Sequence, residues 1–283
     1  MLGVFDSGYG GLGVLRHIRA ALPRHDLVYF GDSGRAPYGG RDTNTLLDFS
    51  EQAVERLLEE GCNVIVVACN TVSCVALRHL QQRYAPATAS CRILGVTVPG
   101  AELVARSTRD HVGVIATRRT VASQTYVHEI RKLRSLRISQ QAAPLLAPIV
   151  EEGWEATEIA RLAVREYLRG LPDIDTLLLG CTHFPHLHAT FAESVPDGVK
   201  ILDPAPFVAT RLADWFGRHP TFDHAGSAQL RVLCSGDPER FRQEGERFYG
   251  SPLPAVRHVA EIDGRLSNHT PGSAPVGQVV RTI

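Results

Sequence analysis

The chain has 283 residues, 44% of them apolar and 21% charged, enough for one large or two medium domains with a full core. Its 30 Lys and Arg balance its 30 Asp and Glu, so no global field draws nucleic acid or an anionic membrane. Apolar runs stay far below the ~18–20 residues of a membrane span, and Met1-Leu2-Gly3-Val4-Phe5-Asp6 enters a strand too early for a signal peptide, so a cytoplasmic location is expected. There the cysteines Cys62, Cys69, Cys74, Cys91, Cys181 and Cys234 are expected to be reduced, because their scattered spacing is no disulfide framework.

In chain order, strands are predicted from Leu2 to Phe5, Leu27 to Phe30, Val64 to Ala68, Arg92 to Val96, Val112 to Ala116, Thr176 to Leu179, Ile201 to Leu202 and Leu230 to Cys234. Amphipathic helices lie between them. The clearest runs from Thr43 or Asn44 to Glu60, with Leu46, Leu47, Ala53, Val54, Leu57 and Leu58 on one stripe, a capping residue at its start and Gly61 just past its end. This alternation is a parallel α/β pattern. From Gly264 to Gly277 the sequence is rich in Gly, Ser and Pro without periodicity, and a mobile tail is expected over 264–283.

Two cysteines sit in matching contexts. Asn63-Val64-Ile65-Val66-Val67-Ala68-Cys69-Asn70-Thr71 and Asp175-Thr176-Leu177-Leu178-Leu179-Gly180-Cys181-Thr182-His183 each carry an apolar run too short for a helix, then a small residue, Cys, and small polar groups. Each thiol should stand at the carboxyl end of a buried strand, where open parallel sheets place their ligands. The repetition continues outside these segments. Gly3-Val4-Phe5-Asp6-Ser7 matches Gly113-Val114-Ile115-Ala116-Thr117, and Ile93-Leu94-Gly95-Val96-Thr97-Val98-Pro99 is echoed by Ile201-Leu202-Asp203-Pro204-Ala205-Pro206, all at separations of about 110 residues. Two related halves facing each other across a cleft would bring Cys69 and Cys181 to opposite sides of one ligand. That suits an acid and a base acting on opposite faces of one carbon.

Gly8-Tyr9-Gly10-Gly11-Leu12-Gly13 matches G-x-G-x-x-G after a strand, with Asp32 about twenty residues on, as a dinucleotide site requires. Asp6, however, would aim a carboxylate where a pyrophosphate should lie. The glycines therefore read as a tight turn into a helix, with Asp6 and Ser7 exposed to the cleft. Cys181-Thr182-His183-Phe184-Pro185-His186-Leu187-His188 offers four possible ligands at no zinc spacing, so no metal is expected. His186 and His188 read as surface or helix-packing residues.

The successive segments Gly3-Val4-Phe5-Asp6-Ser7-Gly8-Tyr9-Gly10-Gly11-Leu12, Ala36-Pro37-Tyr38-Gly39, Ala68-Cys69-Asn70-Thr71, Pro148-Ile149-Val150-Glu151-Glu152-Gly153, Gly180-Cys181-Thr182-His183-Phe184-Pro185 and Ser235-Gly236-Asp237-Pro238-Glu239-Arg240-Phe241 resemble, in order, the signatures of the glutamate racemases in the aspartate/glutamate racemase family. Tyr9 departs from a usual aliphatic residue, Ala143 from a common cysteine, and Pro204-Ala205-Pro206 from a more polar loop. The resemblance implies an α/β fold of two similar parallel-sheet (Rossmann/flavodoxin-like) domains related by pseudo-twofold symmetry, with the active site in the cleft between them. The expected division is 1–94 plus 207–263 for one domain and 95–206 for the other.

Racemisation removes an α-proton from one face and returns one to the other. The only lysines, Lys132 and Lys200, read as solvated, which argues against a pyridoxal Schiff base and for two cysteines acting without a cofactor. One thiol must be held as thiolate while its partner stays protonated. Asp6 beside Cys69 and His183 beside Cys181 are the expected tuning groups, as the resemblance also implies. It further assigns Cys69 to the α-proton of the D-enantiomer and Cys181 to that of the L-enantiomer. Ser7, Asn70, Thr71 and Thr182 offer donors for the substrate carboxylates, although Asn70, Thr71 and Thr182 read equally as helix caps. The resemblance adds Tyr38 and Gly39, and counts Asp6 and His183 among the substrate-binding groups. Glu151 or Glu152 is expected to meet the substrate ammonium, the other being a solvated helix start. The expected partner is glutamate, in a homodimer. The rival readings are an aspartate or other amino-acid racemase, a nicotinamide oxidoreductase, and a non-catalytic binder of acidic amino acids.

Overall fold

The computed structural model describes residues 1–86 and 90–267. Two parallel sheets carry the chain. The first takes β1 (Leu2–Asp6), β2 (Leu27–Gly31), β3 (Val64–Val67) and β4 (Arg92–Gly95). The second takes β5 (His111–Ala116), β6 (Arg137–Ala142), β7 (Thr176–Gly180) and β8 (Lys200–Leu202). The chain then returns to the first sheet with β9 (Leu230–Cys234) and β10 (Val256–His258), and a short hairpin follows, β11 (Glu261–Ile262) and β12 (Arg265–Leu266). The strand orders are β10-β9-β2-β1-β3-β4 and β6-β5-β7-β8. The run β2-β1-β3-β4 and the whole second sheet therefore share one order, and each repeated segment occupies the same place in it. β1 and β5 are the central strands that begin each unit, while β3 and β7 lead into the two cysteines.

The period-2 alternation of strand side chains divides the core. From β1, Leu2 and Val4 face one cluster and Phe5 the other. On the Phe5 side, Val28, Phe30, Ile65 and Val67 pack under Leu46, Val54 and Leu57 of the helix Thr43–Glu59. On the Leu2 side, the core runs without a break into the second half. It joins Leu12, Leu15 and Ile18 of the helix Gly11–Ala21 to Val208 and Leu212 of the helix Ala205–Arg218 and to Leu177 and Leu179 of β7. The outer face of the second sheet is covered by Ala101, Val104, Tyr126 and Ile130.

Several sequence expectations need correction. The helix predicted from Thr43 or Asn44 starts at Thr43, as expected, but ends at Glu59 instead of Glu60, and its cap is Asp42, whose side chain accepts from Thr45 N at 3.0 Å. Gly61 takes φ +86° just past its end. β6 was not predicted: Arg-Ile-Ser-Gln-Gln-Ala has no apolar run because it is an edge strand, half-exposed along its length. The stretch expected to be mobile from Gly264 begins instead as a hairpin. Asp263 and Gly264 take φ +51° and +75° between β11 and β12, the two-residue turn that Asp-Gly favours. Leu266 N then donates to Gln52 Oε1 at 2.9 Å. The rest of that stretch, 268–283, lies outside the described residues.

Candidate active site

Both sheets present the carboxyl ends of their central strands to one cavity of about 390 Å³. The first half supplies Ser7 after β1, Tyr38 and Gly39 from the loop after β2, and Cys69, Asn70 and Thr71 after β3. Cys181, Thr182 and His183 after β7, with Glu151 at the end of the helix Leu146–Glu151, come from the second. Of the expected site residues only Asp6 is absent from the lining. It is wholly buried, not exposed to the cleft as the turn reading held.

Each sulfur has its own neighbours. Cys69 precedes the helix Asn70–Val75, and the Ser7 hydroxyl lies 3.5 Å from its Sγ. Burial, and after it the nearby Asp6, pushes the Cys69 thiol up to about 12, so it holds its proton at neutral pH. Cys181 Sγ lies 3.8 Å from His183 Nδ1, and His183 Nε2 lies 2.9 Å from Glu151 Oε1. Burial alone would strip the His183 ring of charge. The contacts to Cys181 and Glu151 outweigh it and raise the imidazole to about 10, leaving a cation at neutral pH. The two halves thus differ in kind: a thiol that keeps its proton on one side, a cysteine sulfur beside an imidazolium on the other.

Asp6 underlies this arrangement. Its Oδ1 accepts from Gly8 N at 3.0 Å and its Oδ2 from Thr182 Oγ1 at 3.4 Å. Burial raises its carboxyl, and the cationic His183 opposes the rise. Asp6 therefore acts on Cys69 through its charge, whereas Ser7 is the residue that touches the sulfur.

The remaining groups tie the halves together. Asn70 Oδ1 accepts from the Tyr126 hydroxyl at 2.5 Å, and Thr71 Oγ1 lies 3.0 Å from Thr117 Oγ1. Neither caps its helix by the expected route; both reach into the second half. The Tyr38 hydroxyl donates to Asp32. Asp32 also takes Arg35 Nε at 2.8 Å and Ser235 Oγ at 2.6 Å. Asp32 is thus a fully engaged anchor for the 33–39 loop, not the free carboxylate that a ribose needs. Glu151 is the member of its pair that lines the cavity. Both acids sit at the end of their helix, so the solvated residue Glu152 is a helix end, not a start.

The turn glycines have a packing role. A Cβ on Gly10 would lie 2.8 Å from Thr182 Cβ and 2.9 Å from His183 Nδ1, so the turn meets the second cysteine loop face to face. His186 sits edge-on to Phe248 at 4.5 Å, and His188 opens the helix His188–Ala192. Lys132 pairs with Glu129 at 2.6 Å and Lys200 donates to Ser107 O at 3.0 Å; neither lines the cavity.

Sequence reasoning missed Thr117 and Arg118, which also line the cavity. Thr117 had a signal, since the duplication sets it opposite Ser7. Arg118 had none beyond following it.

The profile of the Asp/Glu/hydantoin racemases matches residues 13–212. The chain is 38% identical over 264 residues to the glutamate racemase of Geobacter metallireducens, covering 92% of this chain and 96% of that one. Among solved structures, it is similar to the glutamate racemase of Francisella tularensis in complex with D-glutamate, with a TM-score of 0.84, 31% identity and coverage of 91% and 96%. It is likewise similar to that of Thermus thermophilus in complex with beta-chloro-D-alanine, with a TM-score of 0.80, 39% identity and coverage of 92% and 96%. The chain belongs to the Asp/Glu/hydantoin racemase family.

Proposed function

We propose that this protein is a glutamate racemase that needs no cofactor and moves the α-proton between Cys69 and Cys181. The observation that carries the reading is the meeting of two cysteines, one from each repeat, in a single cavity with unlike partners. In the L-to-D direction Cys181, as a thiolate balanced by the imidazolium of His183, takes the α-proton and becomes a thiol. Cys69, held as a thiol, returns a proton to the opposite face. The reverse direction exchanges these roles, with Ser7 and Asp6 beside the sulfur that then serves as base. Asn70, Thr71 and Thr182 offer polar groups to the substrate carboxylates, Gly39 its backbone, and Tyr38 a wall. Glu151 faces the ammonium while it orients His183.

The same proposal divides the chain into lobes 1–94 plus 207–263 and 95–206, and has it act as a homodimer in the cytoplasm, supplying D-glutamate for peptidoglycan. Among the described residues no helix is long and apolar enough to cross a membrane. The test is the ellipticity of L-glutamate and of L-aspartate with the purified protein. Glutamate should decay to zero rotation, and aspartate should decay far more slowly. A faster decay of aspartate would move the substrate to the shorter acid, and binding without decay of either would leave a binding protein.

A further inference from the structure

Among the described residues, one strongly basic side chain lines the cavity. Arg118 lines the cavity, and the other ionisable side chains there are Cys69, Cys181, Glu151, His183 and Tyr38. It is exposed at the start of the helix Arg118–Ser123, whereas Cys69 and Cys181 are only 5% and 7% exposed. The two cysteines are therefore the buried part of the lining, and Arg118 is an exposed part of it. Among the described residues no hydrogen bond or ion pair engages that guanidinium. Its neighbour Arg119 differs, with Nε donating to Arg41 O at 2.9 Å.

The base of Arg118 is held firmly even though its tip is free. Thr117 Oγ1 accepts from Thr120 N at 3.2 Å, and Arg119 N donates to Gly39 O at 3.2 Å. The free cation is thus mounted where the two halves touch. A glutamate with its Cα between the two sulfurs and its side chain running outward carries its second carboxylate toward this group. Aspartate, one methylene shorter, holds that charge deeper, and glutamine carries none. Resting on the glutamate reading above, we infer that Arg118 recognises the distal carboxylate of the substrate and sets the preference for glutamate over aspartate and glutamine.

The experiment compares the full-length protein with Arg118→Gln and Arg118→Lys, and with Arg131→Gln as a control that removes the same charge from the helix Thr125–Leu133, outside the cavity. Loss of a charge-assisted contact made equally in ground and transition states should raise KM for L-glutamate about tenfold while kcat changes less than about threefold. Arg118→Lys should fall between, Arg131→Gln should match the parent, and the difference should shrink as added salt screens the exposed charge. The ratio of kcat/KM for glutamate over aspartate should fall in Arg118→Gln. An unchanged KM for glutamate, or equal losses for both acids, overturns the inference. Titration calorimetry with racemic glutamate, in which no net turnover occurs, reads the same about tenfold loss of affinity. Equal affinity there overturns the inference whether or not the protein racemises, whereas a parent that binds glutamate without racemising it would fail only the functional reading.

Discussion

At the scale of single residues, the cavity holds two cysteine sulfurs with unlike neighbours. Serine at position 69 or 181 replaces a thiol by a far weaker base, so each substitution should lower kcat more than a hundredfold, the lower edge of the ~10²–10⁴ range of general acid–base catalysis. Serine at Cys62, Cys74, Cys91 or Cys234 should leave turnover in the folded fraction near normal. Full activity in Cys69→Ser or Cys181→Ser would remove the two-base reading. His183 gives stability a pH dependence. Its folded-state value of about 10 exceeds the ~6.5 of a free imidazole, so its proton adds stability in full below pH ~6.5, progressively less up to about 10, and none above. The stability gap between the parent and His183→Asn, read from urea midpoints, should therefore narrow as pH rises across that window. The L-to-D rate of the parent should fall over the top of the same window, as the imidazole loses its charge. A gap independent of pH would show that the Cys181 and Glu151 contacts do not hold the ring as a cation. Asp6→Asn should lower kcat with the fold intact, because Asp6 meets the Cys69 sulfur only through its charge.

At the scale of elements, loops carry most residues of the candidate site and close packing aims them. Gly10 touches the Thr182 and His183 side chains, so Gly10→Ala must push the second cysteine loop aside. Misplacement of this order costs up to ~10²-fold, and kcat should drop toward that figure while the melting temperature changes little. A kcat equal to the parent's would show that the loop yields without moving His183. Most strands were readable within a residue of their observed ends, because buried parallel strands are short apolar runs bounded by turn residues. β6 and β10 escaped because edge strands need no such run. The Asp263-Gly264 turn escaped for another reason: its tight-turn signal lies at the head of a stretch whose composition points to a tail.

At the scale of the whole molecule, the proposed mechanism has the two halves act on opposite faces of one carbon, which isotope labelling can read. With L-glutamate in D₂O stopped at low conversion, the D-product should carry deuterium at Cα and the recovered L-glutamate almost none. The base facing the substrate's own hydrogen returns that hydrogen, and its solvent-exchanged partner delivers deuterium only on inversion. The run from D-glutamate should mirror it. Heavy early label in recovered substrate would mean one base serving both faces, even if both cysteines proved essential. The sequence by itself determined the repeat, the strand ends that carry Cys69 and Cys181, and the chemistry of the residues beside them, because these are local: short apolar runs, small residues and their neighbours in the chain. Only the tertiary structure decided that Ser7, not Asp6, touches the Cys69 sulfur, that Glu151 braces His183, that Asp32 is an anchor, and that Arg118 lines the cavity with no partner among the described residues. Each of these joins side chains from distant parts of the chain or depends on how deeply a group is buried, and neither the pairing nor the burial leaves a periodic trace in the sequence.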